Sequence, residues 1–308
     1  MSDPFRTDVQ IPLPPLASHG DDCRCVLHAR RRLGGAVLGA GLFGGLGLSG
    51  TAQAQADAEC SVSAFTKAVS AEQVEQAAGQ QYRQMLQQAA AQKGVAPMEH
   101  PQLKRLRYIA NRIVPLSFDC NPRARNWRWE VNLLGSDDLN AFCMPGGKIA
   151  FYFGILKKLQ LDDDEVAVIM GHEVAHALLE HARERMGKTM ATRGAIEIGA
   201  ALLGLGDLGR TAANMGGQLL TLRFSRSDES QADALGLVLS AKAGYRPDAG
   251  ASLWRKMLSA SKGAPPAWLS THPSGEERIR EIEARYARVD PLYAAAAKPD
   301  QRFAPPKA

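Results

Sequence analysis

The chain has no block of lysine and arginine interleaved with aromatic residues, which leaves nucleic-acid binding without support. It has no internal repeat, so a stacked helical-repeat domain is not expected. Charge of either sign is in small excess only. The formal net charge of +5 is spread over 308 residues and bears weakly on contact with an anionic membrane surface. Cysteine is scarce, at five residues. What is present is ordinary for a protein with a buried core: 45% hydrophobic and 22% charged residues. A fibrous or wholly disordered chain is thereby excluded, and the length suits one moderate domain or two small ones.

Residues 1–56 read as an export signal. Arg30-Arg31-Arg32 precede a stretch from Leu33 to Gly50 without any charge. Two small-residue exits follow, Ala52-Gln53-Ala54 and Ala54-Gln55-Ala56. The stretch is short and glycine-rich for a membrane span, so removal is expected rather than retention as an anchor. The paired arginines and long leader also resemble a twin-arginine signal. A periplasmic mature chain would keep Cys60, Cys120 and Cys143 and lose Cys23 and Cys25. Three thiols in an oxidising compartment predict one disulfide and one free cysteine, with the pairing open. The folded domain is expected over 57–290, and the alanine- and proline-containing tail 291–308 is expected to be disordered.

Periodicity predicts an α+β, mainly helical fold. Ser70 and Gln73 suit the start of a helix running to about Lys93, and a second helix begins near Pro101. Trp127, Trp129, Val131 and Leu133 then alternate with polar residues, as do Ile149, Phe151 and Phe153, which describes two half-buried strands of a small antiparallel sheet. Asp162 and Glu165 open a helix expected from about Asp163 through Arg185. Ala195–Leu205 reads as a short buried helix, and further helices are expected around Glu229–Ala243, Asp248–Ala260 and Ser274–Arg288.

His172-Glu173-Val174-Ala175-His176 lies inside the strongest predicted helix. An i, i+4 spacing advances a helix by about 400°, so both imidazoles share a face and can reach one metal ion. Glu173 stands beside that face as a candidate general base. A catalytic zinc site needs a third protein ligand. On a continuous helix His181 lies about 500° beyond His176 and points about 140° away, so it reads as a polar residue near the helix end. Glu229 is the better candidate. It shares a helical face with Asp233, with small Ser230 and Ala232 beside it. One carboxylate could bind metal while the other accepts from a ligand histidine.

These motifs, with Asn140-Ala141-Phe142, Pro145-Gly146-Gly147, Thr271-His272-Pro273 and Arg278-Ile279, stand in the order found in a zinc metallopeptidase family. From about Ser70 to Arg288 the chain resembles the gluzincins that include the HtpX heat-shock proteases and CaaX prenyl endopeptidases. It is more similar to that family's soluble periplasmic bacterial members, implicated in quality control of envelope proteins. Cys143 departs from the pattern, standing where an aliphatic residue or alanine is common. The resemblance implies one Zn2+ per chain at His172, His176 and Glu229, with Glu173 catalytic and Asp233 behind the ligands. It implies that His272 lies near the metal, either donating to the oxyanion of a tetrahedral intermediate or capping the metal at rest. The implied function is a metalloendopeptidase acting on unfolded or misassembled envelope proteins, with the Ile149–Phe153 strand offered for backbone pairing with substrate. Peripheral association with the membrane or with envelope assembly machinery stays open. The alternative is a latent or non-proteolytic zinc-containing chaperone or scaffold module.

Overall fold

The computed structural model describes residues 60–202, 219, 222–261, 267–272 and 275–307, the side chains of 193–202 and 267 excepted. Residues 1–56, expected to be an export signal, residues 203–205 of the Ala195–Leu205 segment, and Pro273 lie outside the described residues. Ten α-helices are described: α1 Ala71–Ala91, α2 Pro101–Ile113, α3 Phe153–Lys158, α4 Asp163–Leu178, α5 His181–Leu202, α6 Arg226–Lys242, α7 Ala249–Ala260, α8 Ala267–Thr271, α9 Glu276–Ala284 and α10 Tyr286–Ala295. Three strands accompany them: β1 Glu130–Leu134, β2 Ala141–Met144 and β3 Lys148–Tyr152. The α+β class and helical majority agree with the sequence.

Helix α4 forms the centre, with every one of its 16 residues buried. Its Val166–Met170 run is apolar on all sides, which suits a helix surrounded by other elements rather than one facing water. The acidic first turn is buried with partners. Asp162 and Glu165 close a reciprocal capping box, each bond being 2.9 Å. Arg105 Nε meets Asp163 Oδ1 at 2.6 Å, Arg246 Nε meets Asp164 Oδ2 at 3.1 Å, and Lys256 Nζ meets Glu165 Oε2 at 2.6 Å. The three carboxylates also oppose the positive end of the helix dipole. Across α4 runs α6, capped in the same way by Ser225 and Asp228.

The sheet is mixed rather than antiparallel. Its order is β1-β3-β2, with β1 and β3 parallel (Val131 opposite Ile149) and β2 antiparallel to β3 (Phe142 opposite Ala150). Both faces are covered, so the alternation sorts residues between two cores. Val131, Leu133, Cys143, Ile149 and Phe151 join the main core with α2 and α4. Leu134, Phe142, Met144 and Ala150 pack against Tyr82 and Leu86 of α1. Asn132, expected to face water, is buried and donates to the Tyr82 hydroxyl at 3.0 Å, which donates to the Ile149 carbonyl at 2.6 Å. The tight β2–β3 turn requires Gly147, because a Cβ there would lie 2.7 Å from the Trp129 ring.

Two further expectations are corrected, and one open question is answered. The helix foreseen from Asp163 to Arg185 is two helices, broken where Glu180 takes the left-handed conformation at φ 55°. The tail beyond Asp290 is ordered through residue 307: α10 continues through Pro291 to Ala295, and the following strap returns to the start of α4. There the Phe303 backbone N–H donates to Asp163 Oδ2 at 2.8 Å and Arg302 Nη1 to Asp164 Oδ1 at 3.0 Å. The open cysteine question closes with a Cys60–Cys120 disulfide and a buried free Cys143. No helix among the described residues is long and apolar enough to cross a membrane.

Candidate active site

Four side chains from three segments converge on one point. His172 and His176 come from α4, Glu229 from the first turn of α6, and His272 from the residue after α8. The His272 backbone is held by its N–H bond to the Trp268 carbonyl at 2.9 Å. Trp268 N–H reaches the Leu139 carbonyl at 3.1 Å, and Phe224 N–H reaches Thr271 at 3.2 Å. The atoms that face one another are His172 Nε2, His176 Nε2, Glu229 Oε1 and His272 Nδ1. Separations are 3.1 Å between the two α4 imidazoles, 3.3 Å from His172 to His272, 2.9 Å from His272 to Glu229 and 3.5 Å from His176 to Glu229. A tetrahedral zinc ion with bonds of about 2.0–2.1 Å has ligand–ligand edges of about 3.3–3.4 Å. The donor set suits such an ion in chemistry, and these four separations lie close to those edges. A cation also resolves the crowding, since Nε2 atoms whose Nδ1 partners are engaged elsewhere would otherwise turn their lone pairs on one another.

The surrounding groups orient these four. His172 Nδ1 donates to Asp233 Oδ1 at 2.9 Å, so its Nε2 is the atom left for a metal. Arg278 bridges the carboxylates: Nη1 lies 2.5 Å from Glu229 Oε2, and Nε lies 2.6 Å from Asp233 Oδ2. Its guanidinium stacks over Trp254 at 3.7 Å from the ring centre. Phe224 stacks on His176 at 4.0 Å. Burial alone would raise both carboxyls, but the neighbouring charges outweigh it. His272 and His176 hold Glu229 well below the usual range, and Arg278 with His172 lowers Asp233.

Glu173 points the other way, towards β2. Burial pushes its carboxyl up to about 7 against the pull of His172 and the hydrogen bond from Trp268. Trp268 Nε1 donates to Glu173 Oε1 at 2.7 Å, and the Cys143 backbone also bonds to this carboxylate. His272 Nε2 is 3.6 Å from the same oxygen. A cleft lined by Asn140–Pro145 of the β2 segment and by Phe224 opens onto Glu173, His176 and His272. β2 is the outer strand on this side, whereas β3 lies between β1 and β2 with both edges occupied. The Ile149–Phe153 strand therefore has no edge for an extended substrate, whereas β2 has no second strand partner among the described residues.

All six residues singled out in the sequence meet here. His181 also lies here, against expectation. The break at Glu180 swings it back, placing His181 Nδ1 2.9 Å from His176 Nδ1. Trp268, Trp254 and Phe224 were missed, since no periodic pattern distinguishes them from core aromatics. Arg278 was noted as part of a motif without a role.

Comparison with known proteins decides the family. Residues 104–286 match the model of peptidase family M48. The chain belongs to that family. Among similar proteins is the mitochondrial metalloendopeptidase OMA1 of Schizosaccharomyces pombe, 35% identical over 190 residues, 61% of this chain and 54% of that protein. The metalloprotease LoiP of Escherichia coli is 29% identical over 205 residues, 66% of this chain and 77% of LoiP. A Vibrio cholerae protein provisionally named beta-barrel assembly-enhancing protease is 31% identical over 169 residues, 51% of this chain and 34% of that protein. The chain spans about half the length of the fission-yeast relative and less of the Vibrio one. M48 peptidases are zinc-dependent, and the family and its relatives' names support a metalloendopeptidase. The likeness is to OMA1, LoiP and the assembly-enhancing protease rather than specifically to HtpX or the CaaX prenyl endopeptidases.

Proposed function

We propose that this chain is an exported zinc metalloendopeptidase that cleaves unfolded or misassembled proteins of the cell envelope. The observation that carries the reading is the convergence of His172, His176, Glu229 and His272 with Glu173 beside them. His172, His176 and Glu229 would hold one zinc ion. Zinc supplies Lewis acidity, making water nucleophilic at neutral pH and polarising the scissile carbonyl. Glu173 takes the proton of the attacking water and returns it to the leaving amine. Its raised carboxyl, drawn between the ionised and neutral forms near neutral pH, suits that two-way transfer. Asp233 and Arg278 keep His172 and Glu229 in place. The outer edge of β2, without a second strand partner among the described residues, pairs with an extended peptide through main-chain hydrogen bonds, a recognition that favours unfolded segments over folded ones.

The envelope assignment rests on the signal-like residues 1–56 and on the bacterial relatives. Fractionation with N-terminal sequencing should find a periplasmic chain beginning near Asp57. Casein cleavage tests the chemistry. Glu173→Gln should lower turnover about 100- to 10,000-fold while leaving one zinc per chain. Equal cleavage by Glu173→Gln would remove Glu173 from the reaction. Glu229→Ala should weaken zinc binding strongly, and unchanged zinc content would take it out of the ligand set. The second reading, a latent or non-proteolytic module, is favoured by the position of His272 at the fourth corner, where water or substrate would otherwise enter.

A further inference from the structure

His176 has a partner that the HExxH pattern does not specify. Its Nε2 faces the point shared with His172 and Glu229, while its Nδ1 lies 2.9 Å from His181 Nδ1. Two ring nitrogens at that distance need one hydrogen between them. If Nε2 of a neutral imidazole is committed to a metal, Nδ1 carries the proton and donates, so His181 Nδ1 must accept. The proton of His181 then sits on Nε2, which is buried without a hydrogen-bond partner among the described residues. Glu184 and Asp228, both buried, stand with His181 in a cluster whose polar atoms lie within 4.8 Å of one another.

We propose that His181 is a positioning residue for the metal site: it accepts from His176 Nδ1–H, fixes that ring's orientation, and relays to it the field of Glu184 and Asp228. This inference rests on the reading of His176 as a zinc ligand. The two α4 histidines are then supported differently. His172 is backed directly by the Asp233 carboxylate, and His176 by a second imidazole with carboxylates one layer further out. The device depends on the helix break, because only the left-handed Glu180 turns His181 back onto α4.

The contrast between acceptor and packing is testable in the whole chain by zinc affinity, read by chelator competition, and by the visible spectrum of the cobalt-substituted protein. Asn offers its side-chain oxygen about where Nδ1 lies, whereas Leu fills space without accepting. His181→Leu should weaken zinc binding about 10- to 100-fold and shift the cobalt bands, as loss of an outer hydrogen-bond partner typically does. His181→Asn should stay within a few-fold of the parent in affinity and retain its spectrum. Should His181→Leu fail to fold, the Asn variant alone decides: a folded His181→Asn that loses tenfold or more in affinity overturns the proposal. Unchanged affinity and spectrum in a folded His181→Leu overturn it too. A second zinc equivalent, lost on replacing His181, would make it a ligand instead and equally overturn the role. Failure of the underlying zinc reading looks different, since the parent chain itself would then bind neither metal.

Discussion

Gly171 of α4 and Gly236 of α6 meet backbone to backbone where the two helices cross. A Cβ on Gly171 would fall 2.6 Å from the Gly236 carbonyl oxygen, and one on Gly236 would fall 2.7 Å from the His172 nitrogen. This contact immediately precedes the first histidine of the site. It lets α6 approach closely enough for Glu229 and Asp233 to reach the imidazoles, so packing and chemistry depend on the same two missing side chains. Gly236→Ala should therefore cost about 1–3 kcal/mol of stability, as overpacking of a tight core does. Its larger signature should be weakened zinc binding, because the displaced helix carries Glu229. Urea unfolding and chelator competition on one preparation check both. A variant with parental stability and affinity would show that the crossing tolerates a methyl group.

Arg278 is the one cation set against both Glu229 and Asp233 in the described site. Arg278→Leu leaves two buried carboxylates without it and removes the stack on Trp254. Removing one partner of a buried ion pair typically costs about 3–5 kcal/mol. Zinc offsets part of this by neutralising Glu229, so the loss should be larger in the metal-free protein than in the zinc-loaded one. Thermal unfolding with and without zinc measures the difference. Equal losses in both states would detach Arg278 from the metal site.

The candidate-site residues were legible as pairs because each pair is set by local geometry, whereas the meeting of the pairs is not. An i, i+4 histidine pair needs only a helix to share a face, and Glu229 and Asp233 repeat that logic on a helix with small flanking residues. His181 was misjudged for an equally local reason. Glutamate gives no signal for a left-handed turn, so a continuous helix through Glu180 is what the sequence suggests, and its angles do not apply beyond the break. The sheet's direction and the central place of β3 depend on long-range pairing that alternation does not encode. Composition alone suggests disorder in the tail, because its anchors, Asp163 and Asp164, lie mid-chain, far from it in sequence.

That strap supplies a prediction of its own. Deleting residues 297–308 removes the Phe303 backbone bond to Asp163 and the Arg302 pair with Asp164. It also removes the bond from Gln102 to the Ala304 carbonyl. Hydrogen bonds to charged groups contribute about 1.5–3 kcal/mol each when buried, and these are only part-buried, so a loss of about 2–3 kcal/mol is expected. Asp163 retains buried Arg105, and the zinc ligands lie farther along α4, so zinc content should survive the deletion. Denaturant unfolding and metal analysis of the truncated chain test this. Undiminished stability would reduce the strap to an ornament of the fold, in keeping with the disorder its composition suggested.

His272 carries the last prediction, because its two roles give opposite results. Its Nδ1 lies 2.9 Å from Glu229 Oε1 and 3.3 Å from His172 Nε2, where a fourth ligand belongs, while its Nε2 faces Glu173 at 3.6 Å. If it caps the metal at rest, His272→Ala frees the position needed by water and substrate, and casein cleavage or self-cleavage should rise. If it serves only as an oxyanion donor, the same change should lower turnover about 100- to 1000-fold. The geometry favours the cap, since the ring contacts the ligand atoms themselves rather than standing one substrate oxygen away. A capped site should also hold zinc more tightly, so His272→Ala should exchange its metal with a chelator faster than the parent chain does. Faster exchange with higher cleavage is the expected pair. Slower cleavage with unchanged exchange would assign His272 to the transition state alone and leave the resting site open to water.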